Sequence, residues 1–303
     1  MSSQLVWLIT GTSTGLGRDL TLAALKRGDK VIATGRARSL SKLDDLKAHG
    51  ADVLELDVTS PLEALHETAK KAAAIHGRID VVVNNAGYIL VGAIEENTPE
   101  ESFDQFKYVF EIVHVDPNAP DPALSTNVFG ALNVSRAFLP YLRAQKSGTV
   151  IFFGSVGGWR SVPNAGLYAA TKFALRGIST TLHDEISPLG LRSVVIEFGY
   201  FRTTFLAADH RTLQVSRIVD YKPMTDKVNA ALEAYNGKQP GDPLKGVEVV
   251  VDVVRGEGVA AGKAFPTVLN LGTDCYDVVK SECEATLARL EDWKEVTTST
   301  DFA

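Results

Sequence analysis

Six short runs in the first two-thirds of the chain read as strands, and most are apolar at consecutive rather than alternate positions. They are LVWLIT (5–10), KVIATG (30–35), DVLELDV (52–58), DVVVNNAG (80–87), TVIFFGS (149–155) and RSVVIEFG (192–199). A strand wetted on one face alternates apolar and polar residues. A run apolar throughout belongs to a strand covered on both faces, as in a parallel sheet. Amphipathic segments at 16–27, 40–48, 60–76, 98–107, 127–145 and 166–189 separate these runs. Ser60-Pro61 and Thr98-Pro99 each place a hydroxyl cap before a proline at the first helical position. The alternation predicts an α/β fold, a doubly wound parallel sheet between two helical layers with right-handed crossovers. Past residue 200 the pattern changes. Helices are expected at about 224–235, 244–256 and 274–293, a short strand at 266–270, and a frayed, flexible tail at 294–303. No linker or repeat divides the chain, so 1–303 reads as a single domain.

Composition narrows the function classes. The 303 residues are 45% apolar and 22% charged, enough for a large core. A net charge of −6 without a basic block argues against nucleic acid or an anionic membrane surface as partner. No apolar run reaches the roughly 18 residues of a spanning helix. The opening MSSQLVWLITG lacks the basic start and cleavage site of a secretory signal. Cys275 and Cys283 have no metal-ligand spacing around them and read as reduced thiols. No metal is expected, and the expected location is cytoplasmic.

The segment ITGTSTGLG (9–17) follows the first strand and opens the first helix. Gly11, Gly15 and Gly17 allow a tight turn and a close approach to phosphate; Ser13, Thr14 and Leu16 lie between them. The helix N-terminus behind them offers unpaired N–H groups and a positive dipole end. At the first βα junction of a parallel sheet, this pattern points to a dinucleotide. The end of the second strand selects which one. An NAD site usually carries an acid there; here Gly35 holds that position, Arg36 follows and Arg38 is near. A guanidinium favours a 2′-phosphate, so NADP(H) is expected over NAD(H).

Tyr168 and Lys172 stand four apart in YAATK, on one helix face, thirteen residues after Ser155 at the end of the fifth strand. With TGTSTGLG (10–17), Asp57-Val58, NNAG (84–87) and TNVFG (126–130), these motifs give the chain a resemblance to the short-chain dehydrogenase/reductase family. The likeness covers roughly residues 5–205, and its details resemble the NADP-linked branch of 17β-hydroxysteroid and retinol dehydrogenases. It implies a Rossmann fold with a cofactor-binding and catalytic core at 5–200. Tyr168 would be the general acid/base, with Lys172 and the oxidised nicotinamide lowering its pKa. Ser155 would hold the substrate oxygen, and Asn127 would complete a proton relay through a water near Lys172. Asp57 and Val58 would meet the adenine. Asn84, Ala86 and Gly87 would line the adenosine side and brace the sheet. Gly199, Tyr200 and Thr203 would face the nicotinamide end, although Phe198 stands where the family usually has proline. A second class of function stays open: a non-catalytic NADP(H)-binding regulator or scaffold, which would typically have lost the tyrosine or lysine.

Segment 201–225 is expected to form a substrate lid. Its Phe201, Phe205, Leu206, Leu213, Val215, Ile218 and Tyr221, with Tyr88, Ile89 and Leu90, suggest an apolar pocket for a hydrophobic alcohol, ketone or bulky aldehyde. Residues 108–125 interrupt the helix that carries Asn127, with prolines at 117, 120 and 122. Two readings stand. One is a surface loop, whose closure cost grows slowly with length. The other is a translated intron, because Lys107-Tyr108-Val109 and Leu124-Ser125 can be encoded by splice-site sequences. An outward bulge would leave the site intact and block a homo-oligomer. An inward one would displace Asn127.

Overall fold

Strand β1 (Val6–Ile9) is buried along its whole length because it lies inside a sheet whose two faces are both covered by helices. The computed structural model describes residues 4–99, 101–102, 126–206 and 216–302. The insertion 108–125, the end of the helix expected at 98–107, and Leu213 and Val215 of the lid lie outside the described residues. Around β1 run β2 (Lys30–Gly35), β3 (Asp52–Glu55), β4 (Val81–Asn84), β5 (Gly148–Ser155), β6 (Leu191–Phe198) and β7 (Val268–Leu271). Their order is β3-β2-β1-β4-β5-β6-β7, with every pairing parallel. The helices are α1 (Gly15–Lys26), α2 (Asp44–Ala48), α3 (Leu62–His76), α4 (Ala131–Gln145), α5 (Gly166–Ile186), α6 (Lys222–Tyr235), α7 (Pro243–Arg255), α8 (Thr273–Asp292) and α9 (Lys294–Thr298).

The period-two geometry of each strand divides its apolar residues between two cores. Leu8, Val82, Val150, Phe152 and Val195 face α3, α4 and α5 through Leu65, Phe138, Leu142 and Leu175. Trp7, Ile9, Val83, Ile151, Val194 and Ile196 face α1 and α7 through Leu20, Ala24, Val247, Val250 and Val251. Each fully buried side chain of this kind contributes about 1.5–3 kcal/mol. Strand order reverses beside β1, and a doubly wound sheet opens a crevice at the carboxyl ends of its strands at that point.

Three local expectations change. The segment expected as one helix at 40–48 is a 3₁₀ turn, Ala37–Leu43, followed by α2. There Ser39 bonds back to the Arg36 carbonyl through both its N–H (2.8 Å) and its hydroxyl (2.9 Å), which competes with the α pattern. The helix expected at 127–145 begins with a π-helical turn, Thr126–Gly130, before α4. The tail read as frayed from 294 is helical over Lys294–Thr298. The Thr297 N–H reaches back to the Trp293 carbonyl at 2.8 Å and carries the chain past the end of α8. Among the described residues no helix is long and apolar enough to cross a membrane.

Candidate active site

A cleft of about 810 Å³ opens at the carboxyl ends of the strands. Its floor is the turn after β1. Gly11 (φ +69) and Gly15 (φ +59) hold left-handed backbone that only glycine adopts freely. Close approach adds a second constraint. A Cβ on Gly17 would stand 2.3 Å from Asn85 Nδ2, and one on Gly11 2.9 Å from Ala86 Cα. Asn85 fills this space because its Nδ2 donates to the carbonyls of Thr10 (2.7 Å) and Gly11 (2.9 Å). Thr10 Oγ1 in turn accepts the N–H groups of Asn85 and Ala86, at 3.0 and 3.1 Å. The segment after β4 is thus stitched to the glycine turn. Ser13, Thr14, Gly15 and Leu16 line the cleft, and the N-cap Thr14 makes no side-chain cap bond. The first-turn N–H groups of α1 are left available for an anion. This cradle fits a pyrophosphate, whose oxygens need backbone approach without a Cβ.

Asp57 and Val58 line the next part of the wall; Asp57 Oδ1 accepts from the N–H (2.9 Å) and hydroxyl (2.7 Å) of Thr59. Beyond them Gly35, Arg36, Arg38, Ser39 and Lys42 line one end, with both arginines and Lys42 exposed. Ala86 and Gly87 complete this side. Asn84 and Gly17 do not line the cleft. Asn84 is buried and donates to Ser135 Oγ at 2.9 Å, which ties β4 to α4.

The opposite wall carries Ser155, Tyr168 and Lys172. Ser155 ends β5, and its Oγ accepts the Gly157 N–H at 3.1 Å. Tyr168 and Lys172 lie one turn apart in α5, with Lys172 Nζ 5.5 Å from the Tyr168 ring centroid. The phenol reaches the cleft at one edge and is otherwise surrounded by protein. Burial pushes Tyr168 up to about 12; a hydrogen bond with Ser155 opposes this and Tyr200 adds to it. Burial also pulls Lys172 down to about 8, against the field of Glu197. The Lys172 ammonium also donates to the Phe153 carbonyl at 2.7 Å.

Asn127 sits in the π-helical turn and is buried. Its Oδ1 accepts the Tyr88 N–H at 3.1 Å, while Nδ2 donates to the Tyr88 carbonyl (2.9 Å) and Thr171 Oγ1 (3.3 Å). The side chain clamps the loop after β4 to the residue next to Lys172. It does not line the cleft, although Thr126 does. Gly199, Tyr200 and Thr203 follow β6 and line the cleft. A Cβ on Gly199 would fall 2.1 Å from Asp274 Oδ1, while Asp274 Oδ2 accepts the Tyr200 N–H at 2.6 Å. Phe198, in place of proline, packs edge-on against Phe153 (4.9 Å) and Phe201 (5.1 Å) between ring centroids.

The expected apolar pocket is rearranged. Tyr88, Ile89, Phe201, Phe205 and Leu206 line the cleft; Leu90, Ile218 and Tyr221 do not. Val91, Val162, Pro163 and, from α6, Val228 and Leu232 take part instead. Tyr221 is turned to Glu95, donating to its carboxylate at 2.5 Å. Sequence reasoning also passed over Asn85, Lys42 and Glu197. Asn85 was inside the recognised NNAG. Glu197 had a signal of its own, as an acid following the apolar run Val194–Ile196 of its strand. Cys275 is buried, its thiol pushed up to about 11, and Cys283 is exposed; both are free.

Comparison with known proteins gives the same assignment over nearly the whole chain. A profile described as short chain dehydrogenase matches residues 5–214. Oxidoreductase BOA17 of Botryotinia fuckeliana is 32% identical over 295 residues, 96% of this chain and 97% of the relative. A 3-ketodihydrosphingosine reductase of Bacteroides thetaiotaomicron is 31% identical over 213 residues, 70% of this chain and 69% of the relative. The crystal structure of a short-chain dehydrogenase from Streptomyces avermitilis superposes with a TM-score of 0.82. It is 34% identical, with 99% of this chain and all of that one covered. The glycine cradle, the Ser155–Tyr168–Lys172 wall and these end-to-end likenesses have one common source: the chain is an oxidoreductase belonging to the short-chain dehydrogenase family.

Proposed function

We propose that this protein is an NADP(H)-dependent oxidoreductase that interconverts an apolar secondary alcohol and its ketone, or a bulky aldehyde. The observation that carries this reading is the meeting of Ser155, Tyr168 and Lys172 on one wall of a cleft whose other wall is a glycine cradle. The bound nicotinamide would supply the hydride. Every other task falls to groups of this chain. The first-turn N–H groups of α1 hold the pyrophosphate. Arg36, Arg38 and Lys42 form a cationic end for a 2′-phosphate, and among the described residues Asp57 is the carboxylate of the cleft lining, on the adjoining wall rather than at that end. Ser155 orients the substrate oxygen, and Tyr168 Oη gives that oxygen a proton during reduction or removes it during oxidation. Lys172 binds the nicotinamide ribose and faces the phenol. Asn127 serves the relay from behind, by fixing the helix that carries Lys172.

The apolar lining from Tyr88, Ile89, Phe205, Leu206, Val228 and Leu232 supports a hydrophobic substrate such as a steroid-like, terpenoid or other secondary metabolite. The Bacteroides relative, named for reduction of a ketone, supports the reducing direction. The test is a panel read by cofactor oxidation. It contains methyl nonyl ketone, androstenedione and phenanthrenequinone against pyruvate and dihydroxyacetone, each with NADPH and with NADH. Turnover of the apolar carbonyls with NADPH is expected. Turnover confined to the small polar ones overturns the substrate class. Cofactor binding with no turnover at all favours a regulator or scaffold.

A further inference from the structure

Glu197 is a charged residue near the carboxyl end of a buried strand, fully enclosed, and bonded by residues of several neighbouring elements. In the sheet it pairs with Gly154, the residue before Ser155, on one side and with Asn270 of β7 on the other. Oε1 accepts from Arg176 Nε of α5 at 2.8 Å. Oε2 accepts from Trp159 Nε1 at 2.6 Å and from Asn270 Nδ2 at 2.7 Å. Trp159 belongs to the turn that leaves Ser155, and Arg176 lies one helical turn beyond Lys172. Arg176 also stacks over the Trp159 ring at 3.8 Å.

The surrounding backbone is shaped to admit this carboxylate. A Cβ on Gly154 would stand 2.8 Å from Glu197 Cγ. One on Gly158 would stand 3.4 Å from Glu197 Oε1 and 3.1 Å from the Lys172 carbonyl. Burying an ion costs several kcal/mol unless it is paired and bonded. An apolar residue would serve a purely structural role at this position more cheaply. The cost is offset by three donors, each attached to a segment of the active site or its support.

We propose that Glu197 is a positioning residue of the active site. Its carboxylate fixes the turn after Ser155 against the catalytic helix and supplies the negative field that the buried Lys172 ammonium feels. The proposal rests on the catalytic reading of Tyr168 and Lys172 given above. The groups facing Glu197 are Lys172 and Arg176 from α5, Cys275 from α8, Trp159 from the turn and Asn270 from β7; Asp274 faces Cys275 in turn. Lys172 further faces Tyr168, which in turn faces Tyr200. Glu197 raises Lys172 against the desolvation that lowers it; Arg176, bonded to Glu197 and of opposite charge, should act on Lys172 with the opposite sign.

That opposition gives the test. Phenanthrenequinone reduction with NADPH is followed from acid to alkaline pH in the full-length protein and its variants. The alkaline limb reports loss of the protonated Tyr168–Lys172 pair. Glu197→Gln is expected to lower kcat at least tenfold with KM little changed, and to move the alkaline limb down by about one pH unit. Glu197→Asp restores the limb to its wild-type position. Arg176→Gln, at a partly exposed side chain, moves the limb upward. Trp159→Phe lowers kcat a few-fold and leaves the limb in place. A Glu197→Gln enzyme that is slow but keeps the wild-type limb, together with an unmoved Arg176→Gln limb, overturns the electrostatic role. Wild-type kcat in both Glu197→Gln and Trp159→Phe overturns the positioning role. If Glu197→Gln does not fold, the direction of the Arg176→Gln limb decides alone. Tyr168→Phe, run alongside, separates the two readings. Undiminished turnover there defeats the catalytic assignment itself, whereas an inactive Tyr168→Phe beside unmoved Glu197 and Arg176 variants defeats only this inference.

Discussion

The two walls of the cleft are built in different ways. The cofactor wall is made of strand ends and the backbone just beyond them, held by contacts so close that glycine is the only residue that fits. The substrate wall is made of helix α5, the turn after β5 and segments from distant parts of the chain joined by side chains. Thus Arg217 of the lid bonds Glu101, 116 residues away, and Tyr221 bonds Glu95, 126 residues away. The first wall is rigid by steric exclusion, and the second is assembled by polar contacts that can part. Variants on the two walls should therefore fail in different ways.

The largest effect belongs to chemistry. Tyr168→Phe removes the hydroxyl proposed to move the proton and leaves the cofactor wall untouched. A loss of about 10²–10⁴ in kcat is expected, the usual worth of general acid–base catalysis, with NADPH affinity by fluorescence titration unchanged. A matching loss of affinity would show that the two walls are not separable.

Next comes a steric test of the cofactor wall. Gly17→Ala drives a Cβ to 2.3 Å from Asn85 Nδ2 and 2.8 Å from the Gly11 carbonyl. Overpacking of this kind costs about 1–3 kcal/mol. Because Asn85 holds the Thr10 and Gly11 carbonyls, NADPH affinity should fall about tenfold or more, as one bond lost at 1.4 kcal/mol would give. Gly177→Ala in α5 is the counterpart, since nothing lies within 4 Å of its added Cβ. It should raise stability by about 0.5–1 kcal/mol without a change in affinity. Thermal unfolding of both variants checks the pair.

This contrast also accounts for what the sequence disclosed. Gly11, Gly15 and Gly17 are imposed by local geometry, so the cofactor wall can be read from spacing. The same holds for Tyr168 and Lys172, which a single helical turn brings together, and for consecutive apolar residues, which announce a strand covered on both faces. Lining by Val228 and Leu232 could not be read that way, because it depends on where α6 lands after a segment with no period. Leu90, Ile218 and Tyr221 were expected in the pocket on hydrophobicity alone. Tyr221 instead follows its hydroxyl to Glu95. The raised Tyr168 arises from desolvation by many parts of the chain at once, which adjacency to Lys172 does not report.

A smaller effect is expected at the cationic end of the cofactor wall. Arg36 is exposed, so its contribution is that of one charge-assisted hydrogen bond in water, about 1.5 kcal/mol. Arg36→Ala should raise KM for NADPH about tenfold and leave KM for NADH unchanged. Equal loss with both cofactors would assign Arg36 to the fold of the 3₁₀ turn rather than to a phosphate.

The smallest effect tests the polar assembly of the substrate wall. Glu101 closes a capping box with Thr98: its Oε2 accepts the Thr98 N–H at 2.9 Å, and Thr98 Oγ1 accepts the Glu101 N–H at 3.2 Å. The same carboxylate receives Arg217 in a two-pronged contact at 2.9 and 3.1 Å. Buried Glu96 adds Oε1 to the N–H groups of Arg217 (2.9 Å) and Ile218 (3.0 Å). Exposed ion pairs contribute about 0–1 kcal/mol, so Arg217→Ala should hardly change thermal stability. Its effect should fall on the lid, as a two- to five-fold rise in KM for bulky ketones, about 0.4–1 kcal/mol, with kcat preserved. The pH dependence has a definite sign. The Arg217 hydrogen bond holds the Glu101 carboxyl below the usual carboxylate range, so the clasp is complete above the unfolded glutamate value, about 4.3. It is lost only as pH falls through the lowered folded value. Wild-type KM for a bulky ketone should therefore stay level through neutral and mildly acidic pH and rise only in stronger acid. Glu101→Gln should have the raised KM at every pH, with the acid rise abolished. A Glu101→Gln profile parallel to wild type would mean that the backbone contacts of Glu96 hold the lid without the clasp, and the substrate wall would then be closer in kind to the cofactor wall.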